Sequence, residues 1–328
     1  MYAPLSRRIF LSSTIAGTLA AATRTRAMAA TQIGVDYAYY NPPSLILKEY
    51  GWLDSALASH GYSVNWILSL GSNKANQFLQ YHSVEFGSTA GSAALLARAN
   101  GSPIRTVFLY SQPEWTAVVV AKDSKIQKVA ELRGKKIAAT RGTDPWFFML
   151  RSLHDAGIGP NDVQIVDLQH PDGRVALERG EVDAWAGLDP HMAASQLQAG
   201  SRLIYRNINY NTYGALNIRE DFLQSKPDLV QVILAQYDRA RVFARDNQSK
   251  TAEIVAKASN VPLDVATLML RERTRYPDPV PSTPYAQSVG GCISLIREDK
   301  MVPNGIDLPG ALHGLVDPAP ARLALHHA

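Results

Sequence analysis

The sequence predicts an α/β protein of two lobes, each a mainly parallel sheet flanked by helices, with a ligand cleft between them. Three observations predict it. The chain has 328 residues, too many for one ordinary hydrophobic core. From Gln32 onward, short apolar runs alternate with helix-like segments, the rhythm that builds parallel sheets covered on both faces. That rhythm restarts near Trp115 and runs to about Tyr213 with no Gly/Ser linker, so the second unit reads as an insertion into the first. The expected division is residues 30–115 and 215–328 for lobe one and 116–214 for lobe two.

The N-terminal stretch "SRRIFLSSTIAGTLAAATRTRAMAA" stands outside this rhythm and reads as an export signal. Arg7-Arg8 before Ile9-Phe10-Leu11 has the twin-arginine form, with an ordinary secretory signal as the alternative. The apolar stretch to Ala22 is too short and too rich in Ser and Thr to span a bilayer, and Ala27-Met28-Ala29 is a small-x-small cleavage site. Residues 1–29 hold four arginines and no acid, so the formal net charge of +4 belongs entirely to them. The basic balance is therefore no sign of nucleic-acid binding. Cys292 is the only cysteine, which excludes an internal disulfide and leaves no thiol at the cleavage site for a lipid anchor. The expectation is an exported, unanchored monomer in a periplasm.

In lobe one, "QIGVDY" reads as a strand, and "PPSLILKEYGWLDSALASHG" as a helix broken near Gly51. "YSVNWILS", "VEFGST" and "PIRTVFLYS" read as strands, separated by the helices "NKANQFLQYHS" and "AGSAALLARANG". Lobe two begins with "EWTAVVVAKDS" and continues through "KVAELRGKKIAAT", "PWFFMLRSLHDAG", "DVQIVDL" and "EVDAWAG". "YGALNIRE" returns to lobe one, and helices dominate afterwards. The Pro- and Ala-rich tail beyond Leu315 is expected to be poorly ordered.

Chemistry-bearing motifs are scarce. H-E-x-x-H, C-x-x-C, G-x-G-x-x-G, a Walker loop and G-x-S-x-G are all absent, and the histidines show no metal-ligand spacing. Cys292 sits in an amphipathic helix, where a buried structural thiol is the plain reading. Neither catalysis, nor a metal, nor a cofactor is expected.

Strand-end turns are the better candidates. "EFGSTAGSA" ends a strand in small residues and opens a helix, so backbone N–H groups and the hydroxyls of Ser88, Thr89 and Ser92 face an approaching ligand, with Gly91 allowing close contact. "ATRGTDPWFF" is the matching element of lobe two. Gly142 turns the backbone, Thr143 or Asp144 caps the helix, and Pro145 suits its first position. Two helix N-termini facing each other across a cleft suit an anion. Asp144 reads as an N-cap, or as a partner for an ammonium group. Trp146 shares a face with Met149, Leu150 and Leu153, a core pattern, though its place at the helix start also reaches the cleft. Tyr39, Tyr40 and Asn41 follow the first strand as a polar, aromatic cleft edge. Trp185 reads as core or cleft wall, Asp189 as the N-cap before Pro190, and Glu114 and Trp115 lie at the first crossing between lobes.

The chain resembles the periplasmic substrate-binding proteins of ABC importers in the nitrate/sulfonate/taurine group, most closely the aliphatic-sulfonate binders. "VVVAKDSKIQKVAELRGKKIAATRGTD", "ALERGEVDAWAGLDP" and "EFGSTAGSA" carry the resemblance. It implies a type II-like binding-protein fold whose lobes close on an oxyanion. The head group would lie between Thr89, Gly91 and Ser92 on one side and Thr143 and Asp144 on the other. The resemblance puts an aromatic wall at Trp185 and the loop after strand one at Tyr37 to Asn41. It further implies an organic sulfonate ligand and, as partners, an inner-membrane permease with its ATPase. Asp144 departs from the neutral residue common there, as Leu188 does from a second aromatic. Taurine or another amino-sulfonate, with Asp144 or Glu114 meeting the amine, is the alternative ligand. A desulfinase-like enzyme, needing a nucleophile in the cleft, is the alternative class.

Overall fold

A computed structural model describes residues 31–326; the expected signal and cleavage site lie outside them. Among the described residues, eleven strands form two sheets. In chain order they are β1 (Thr31–Tyr37), β2 (Tyr62–Leu68), β3 (Phe86–Ala90), β4 (Ile104–Pro113), β5 (Val118–Val120), β6 (Lys136–Ala139), β7 (Gln164–Asp167), β8 (Ala184–Ala186), β9 (Arg202–Tyr205), β10 (Gly214–Arg219) and β11 (Thr274–Arg275). The six-stranded sheet has the order β11-β4-β10-β3-β1-β2, and the five-stranded sheet β7-β6-β8-β5-β9.

Parallel pairing of β1 with β2 and β3, and of β6 with β7 and β8, follows from the helices that connect these strands. Apart from β11, which pairs antiparallel to β4 at the sheet edge, the antiparallel strands are those next to the crossings. β5 opens the second sheet antiparallel to β8 and β9, and β10 re-enters the first antiparallel to β3 and β4. The two crossing segments lie side by side, with Thr116 N donating to Asn211 Oδ1 at 2.9 Å.

Each sheet has its own core. Ile33, Val35, Phe86, Phe108 and Leu216 pack with the long helix Pro227–Asp246 through Ile233, Leu234 and Tyr237. Val118, Val120, Ile137 and Ala139 pack with helix Asp144–Asp155 through Phe148, Met149 and Leu153. The helix after β1 breaks at Gly51, which takes φ 62°, where glycine carries no Cβ penalty.

The tail corrects the expectation of poor order. Val316 bridges Thr106, and helix Ala319–His326 buries Ala321 and Ala324 in the core that contains the Pro227–Asp246 helix. The alanines that looked featureless in sequence are small enough for close helix packing.

Candidate functional site

The site lies where the C-terminal ends of the strands of both lobes meet. Helix Gly91–Ala99 starts directly from β3, and helix Asp144–Asp155 starts one turn after β6. Thr143 is the N-cap of the second helix, but its hydroxyl donates to Thr140 O at 2.6 Å. Asp144 therefore corrects the capping expectation. Its carboxylate leaves its own helix and crosses to the other lobe, where Ser92 Oγ donates to Oδ1. Trp115 Nε1 donates to Oδ2 at 3.0 Å, Thr212 N to Oδ2 at 2.7 Å, and Thr212 Oγ1 to Oδ1 at 2.8 Å. Burial pushes the Asp144 carboxyl upward, and these hydrogen bonds oppose the shift. The donors come from a helix start and both crossing segments. Together they form an oxyanion-binding set, filled here by the chain's own carboxylate.

A second buried carboxylate organises the first lobe's edge. Asp36, at the end of β1, accepts from Ser69 Oγ at 2.6 Å and from Ser88 N and Oγ at 2.8 Å each. Burial raises its carboxyl to about 6. Asn41 Nδ2 donates to Ser88 Oγ at 2.6 Å and Tyr40 Oη to Ser88 O at 3.0 Å, while Asn41 Oδ1 caps helix Pro42–Tyr50. Ser88 is thus committed to this network: its N–H and O–H both serve Asp36, which corrects its expected role as a free donor. Tyr39 is half-buried and its hydroxyl is raised by burial.

Tyr40, Trp115 and Leu188 pack with Ala38, Ala90 and Ala93 in an apolar patch that spans the seam, Tyr40 meeting Trp115 edge-on at 5.9 Å. Beside them a cavity of about 10 Å³, room for about one water, is bounded by Tyr40, Ser111, Trp115, Asp189, Met269 and Arg273. Arg273 Nη1 meets both oxygens of Asp189 at 3.0 and 3.1 Å, both side chains buried. Pro190, not Asp189, is the N-cap of helix His191–Ala199, which corrects the capping expectation; Asp189, one residue before it, still accepts from Ala193 N at 2.9 Å. Glu114 is bound by Arg206 through two bonds of 2.9 and 2.8 Å, so its carboxylate is already met.

Other expected residues lie elsewhere. Thr89 Oγ1 donates to Ala90 O and accepts from Asn217 Nδ2 at 2.7 Å, away from the seam. Gly91 is small because helix Thr283–Gly290 covers it: a Cβ there would stand 2.5 Å from Val289 Cγ2. Gly142 takes φ 76° and abuts Leu96 of the opposite lobe. Trp146 is buried in the second lobe's core with Met149, Leu150 and Leu153, its Nε1 donating to Asp299 Oδ2 at 2.9 Å and the Arg141 guanidinium 4.8 Å over its ring. Trp185 is fully buried between its sheet and helix His170–Glu178, core rather than cleft wall; β8 alternates, its alanines facing helix Asp144–Asp155 and this residue the opposite face. Sequence reasoning missed Asp36, Thr212 and Arg273. Asp36 had a signal, a lone acid inside an apolar strand; Thr212 and Arg273 had none.

Cys292 is buried against Phe147, Tyr285 and Ile296, and burial pushes its thiol up to about 12. The Arg151 guanidinium stands 3.6 Å from its sulfur and opposes that shift. Among the described residues no group of His, Cys, Asp and Glu is arranged to hold a metal ion.

The family model described as "NMT1/THI5 like" matches residues 57–251, more than half of the chain. The "Putative aliphatic sulfonates-binding protein" of Escherichia coli (strain K12) is 26% identical over 247 residues, covering 75% of this chain and 77% of that one. The alkanesulfonate-binding protein SsuA from Xanthomonas axonopodis pv. citri, solved with MOPS, superposes with a TM-score of 0.78 at 21% identity, covering 86% of this chain and 97% of that one. The desulfurization enzyme DSZB shares the fold with a TM-score of 0.66 at 15% identity, covering 90% of this chain and 99% of that one.

Proposed function

The chain belongs to the NMT1/THI5-like family, and from that premise we propose that it is the solute-binding component of an ABC importer, capturing aliphatic sulfonates in the periplasm. One observation carries the reading: Ser92, Trp115 and Thr212 direct four donor groups at a single carboxylate. A sulfonate has the same demand, with three acceptor oxygens and a charge that persists at every physiological pH. Each charge-assisted bond is worth about 1.5–3 kcal/mol. The printed names of the Escherichia coli and Xanthomonas relatives support the same ligand class.

The mechanism is a hinge. Asp144 belongs to the inserted lobe, whereas Ser92 belongs to the other lobe and Trp115 and Thr212 to the crossings. Opening the seam withdraws the carboxylate and frees the donors. A sulfonate then takes them, its alkyl tail lying on Tyr40, Trp115 and Leu188, where burial contributes roughly 25 cal/mol per Å². The lobes close over it, and the membrane permease with its ATPase reads the closed form. The chain is a binder rather than an enzyme in this reading, since the Cys292 thiol is fully buried and closed to a substrate.

Thermal unfolding of the exported chain with ethane-, butane- and hexanesulfonate tests the proposal. Stabilisation should grow with concentration, reaching about 2.7 kcal/mol at a hundredfold excess over Kd. Stabilisation by no sulfonate at all would refute it.

A further inference from the structure

Next to the head-group donors lies a second set of buried polar atoms, contributed by both lobes. The turn after β2 packs against the start of helix His170–Glu178. A carbon placed at the Cβ position of Gly71 would stand 3.0 Å from His170 Nε2 and 2.8 Å from Asn73 Oδ1. Neither atom has a hydrogen-bond partner among the described residues, and His170 is fully buried. Thr140 fixes the imidazole tautomer. Its hydroxyl donates to Leu168 O at 2.6 Å, so only lone pairs remain for His170 Nδ1, 3.0 Å away. Nδ1 therefore carries the hydrogen, and Nε2 presents a bare lone pair. Gln169 Oε1, one residue earlier, is a further buried acceptor without a partner among the described residues.

These acceptors adjoin the head-group site. Ser72 Oγ accepts from Ala90 N at 2.9 Å, and Asn76 Nδ2 donates to Ala93 O at 2.9 Å, which ties the Gly71–Asn76 segment to the helix start that carries Ser92. Buried acceptors left unmet cost free energy that a ligand's donor recovers. All three are neutral, so they suit an O–H better than a desolvated ammonium.

We propose that His170 Nε2 and Asn73 Oδ1 form a tail subsite that accepts a hydrogen bond from a hydroxyl group, making hydroxyalkane-sulfonates the preferred ligand class. This rests on the sulfonate reading above. It moves tail recognition from Asp144 and Glu114, whose carboxylates are already met, to groups that are not.

Calorimetric titration of the exported chain with ethanesulfonate, hydroxyethanesulfonate and aminoethanesulfonate tests it. The hydroxy compound should bind about tenfold tighter than ethanesulfonate. His170→Phe and, in a milder background, Asn73→Ala should each bring the ratio of hydroxyethanesulfonate to ethanesulfonate affinity down toward one. In the unmodified chain, the ¹⁵N resonance of His170 Nε2 should shift with the hydroxy compound and not with ethanesulfonate. Ethanesulfonate binding without any preference overturns the subsite and leaves the sulfonate reading standing. Equal loss for all ligands in both variants overturns it too and makes the pair a latch between lobes. Preference for the amino compound refutes the assignment of a neutral donor. Binding of none of the three refutes the subsite together with the sulfonate reading.

Discussion

A carboxylate ringed by donors is favoured while ionised, yet burial opposes its charge. Asp144 lives under both influences, and it also stands where an incoming anion needs room. Its charge therefore works against any sulfonate closing between the lobes. Asp144→Asn keeps the size and one acceptor oxygen for Trp115 and Thr212 but removes the repulsion. It should tighten alkanesulfonate binding by about tenfold, equivalent to about 1.4 kcal/mol, as measured by titration calorimetry. Weaker binding in that variant would show that the carboxylate serves the ligand rather than competing with it. Asp144 also shows the limit of reading a residue from its neighbours. Thr-Asp-Pro before a helix is a capping pattern, and nothing local says that the side chain will cross to another lobe.

At the scale of elements, helix Leu263–Arg273 ends on Arg273, which reaches Asp189 at the start of the segment leading into helix His191–Ala199. Both groups are buried, so neither survives alone without cost. Arg273→Ala should lower stability by about 3–5 kcal/mol in urea unfolding, because it strands the Asp189 charge. Replacing both partners by apolar residues should cost much less. A near-neutral single variant would mean that solvent reaches the pair. The alternation of strands and helices made these elements legible in the sequence, including the break at Gly51. The pairing of two charges 84 positions apart was not, since it depends on how the C-terminal helices fold back over both lobes.

For the whole molecule, acid titration reports on the buried groups at the seam. Asp36 has a folded value of about 6 against an ordinary 3.8, so between those values the folded protein holds a proton that the unfolded chain has lost. Its contribution to stability therefore falls as pH rises through about 4 to 6. His170 and His191, lowered to about 3 and about 4 by burial, act in the opposite sense: the unfolded chain protonates below about 6.5 while the fold resists. Asp36→Asn isolates the first contribution. Whatever its starting level, this variant should gain stability relative to the unmodified protein as pH rises from 4 to 6, by up to about 1.4 kcal/mol per unit. A difference that stays flat in urea midpoints across that range would contradict a buried, titrating Asp36.

The sequence by itself determined the local order of the molecule. Apolar periodicity, Gly and Pro punctuation and capping residues specify strands, helices and the strand-end turns at Ser88–Ser92 and Gly142–Asp144, because these depend on neighbours a few residues apart. Tertiary structure alone decided which polar atoms at strand ends and helix starts are free and which are spent. Ser88 is taken by Asp36, Thr89 by Asn217 and Trp146 by Asp299, while His170 Nε2 is left bare. Hydrogen-bond capacity is allotted in three dimensions, between residues that the chain keeps tens to hundreds of positions apart.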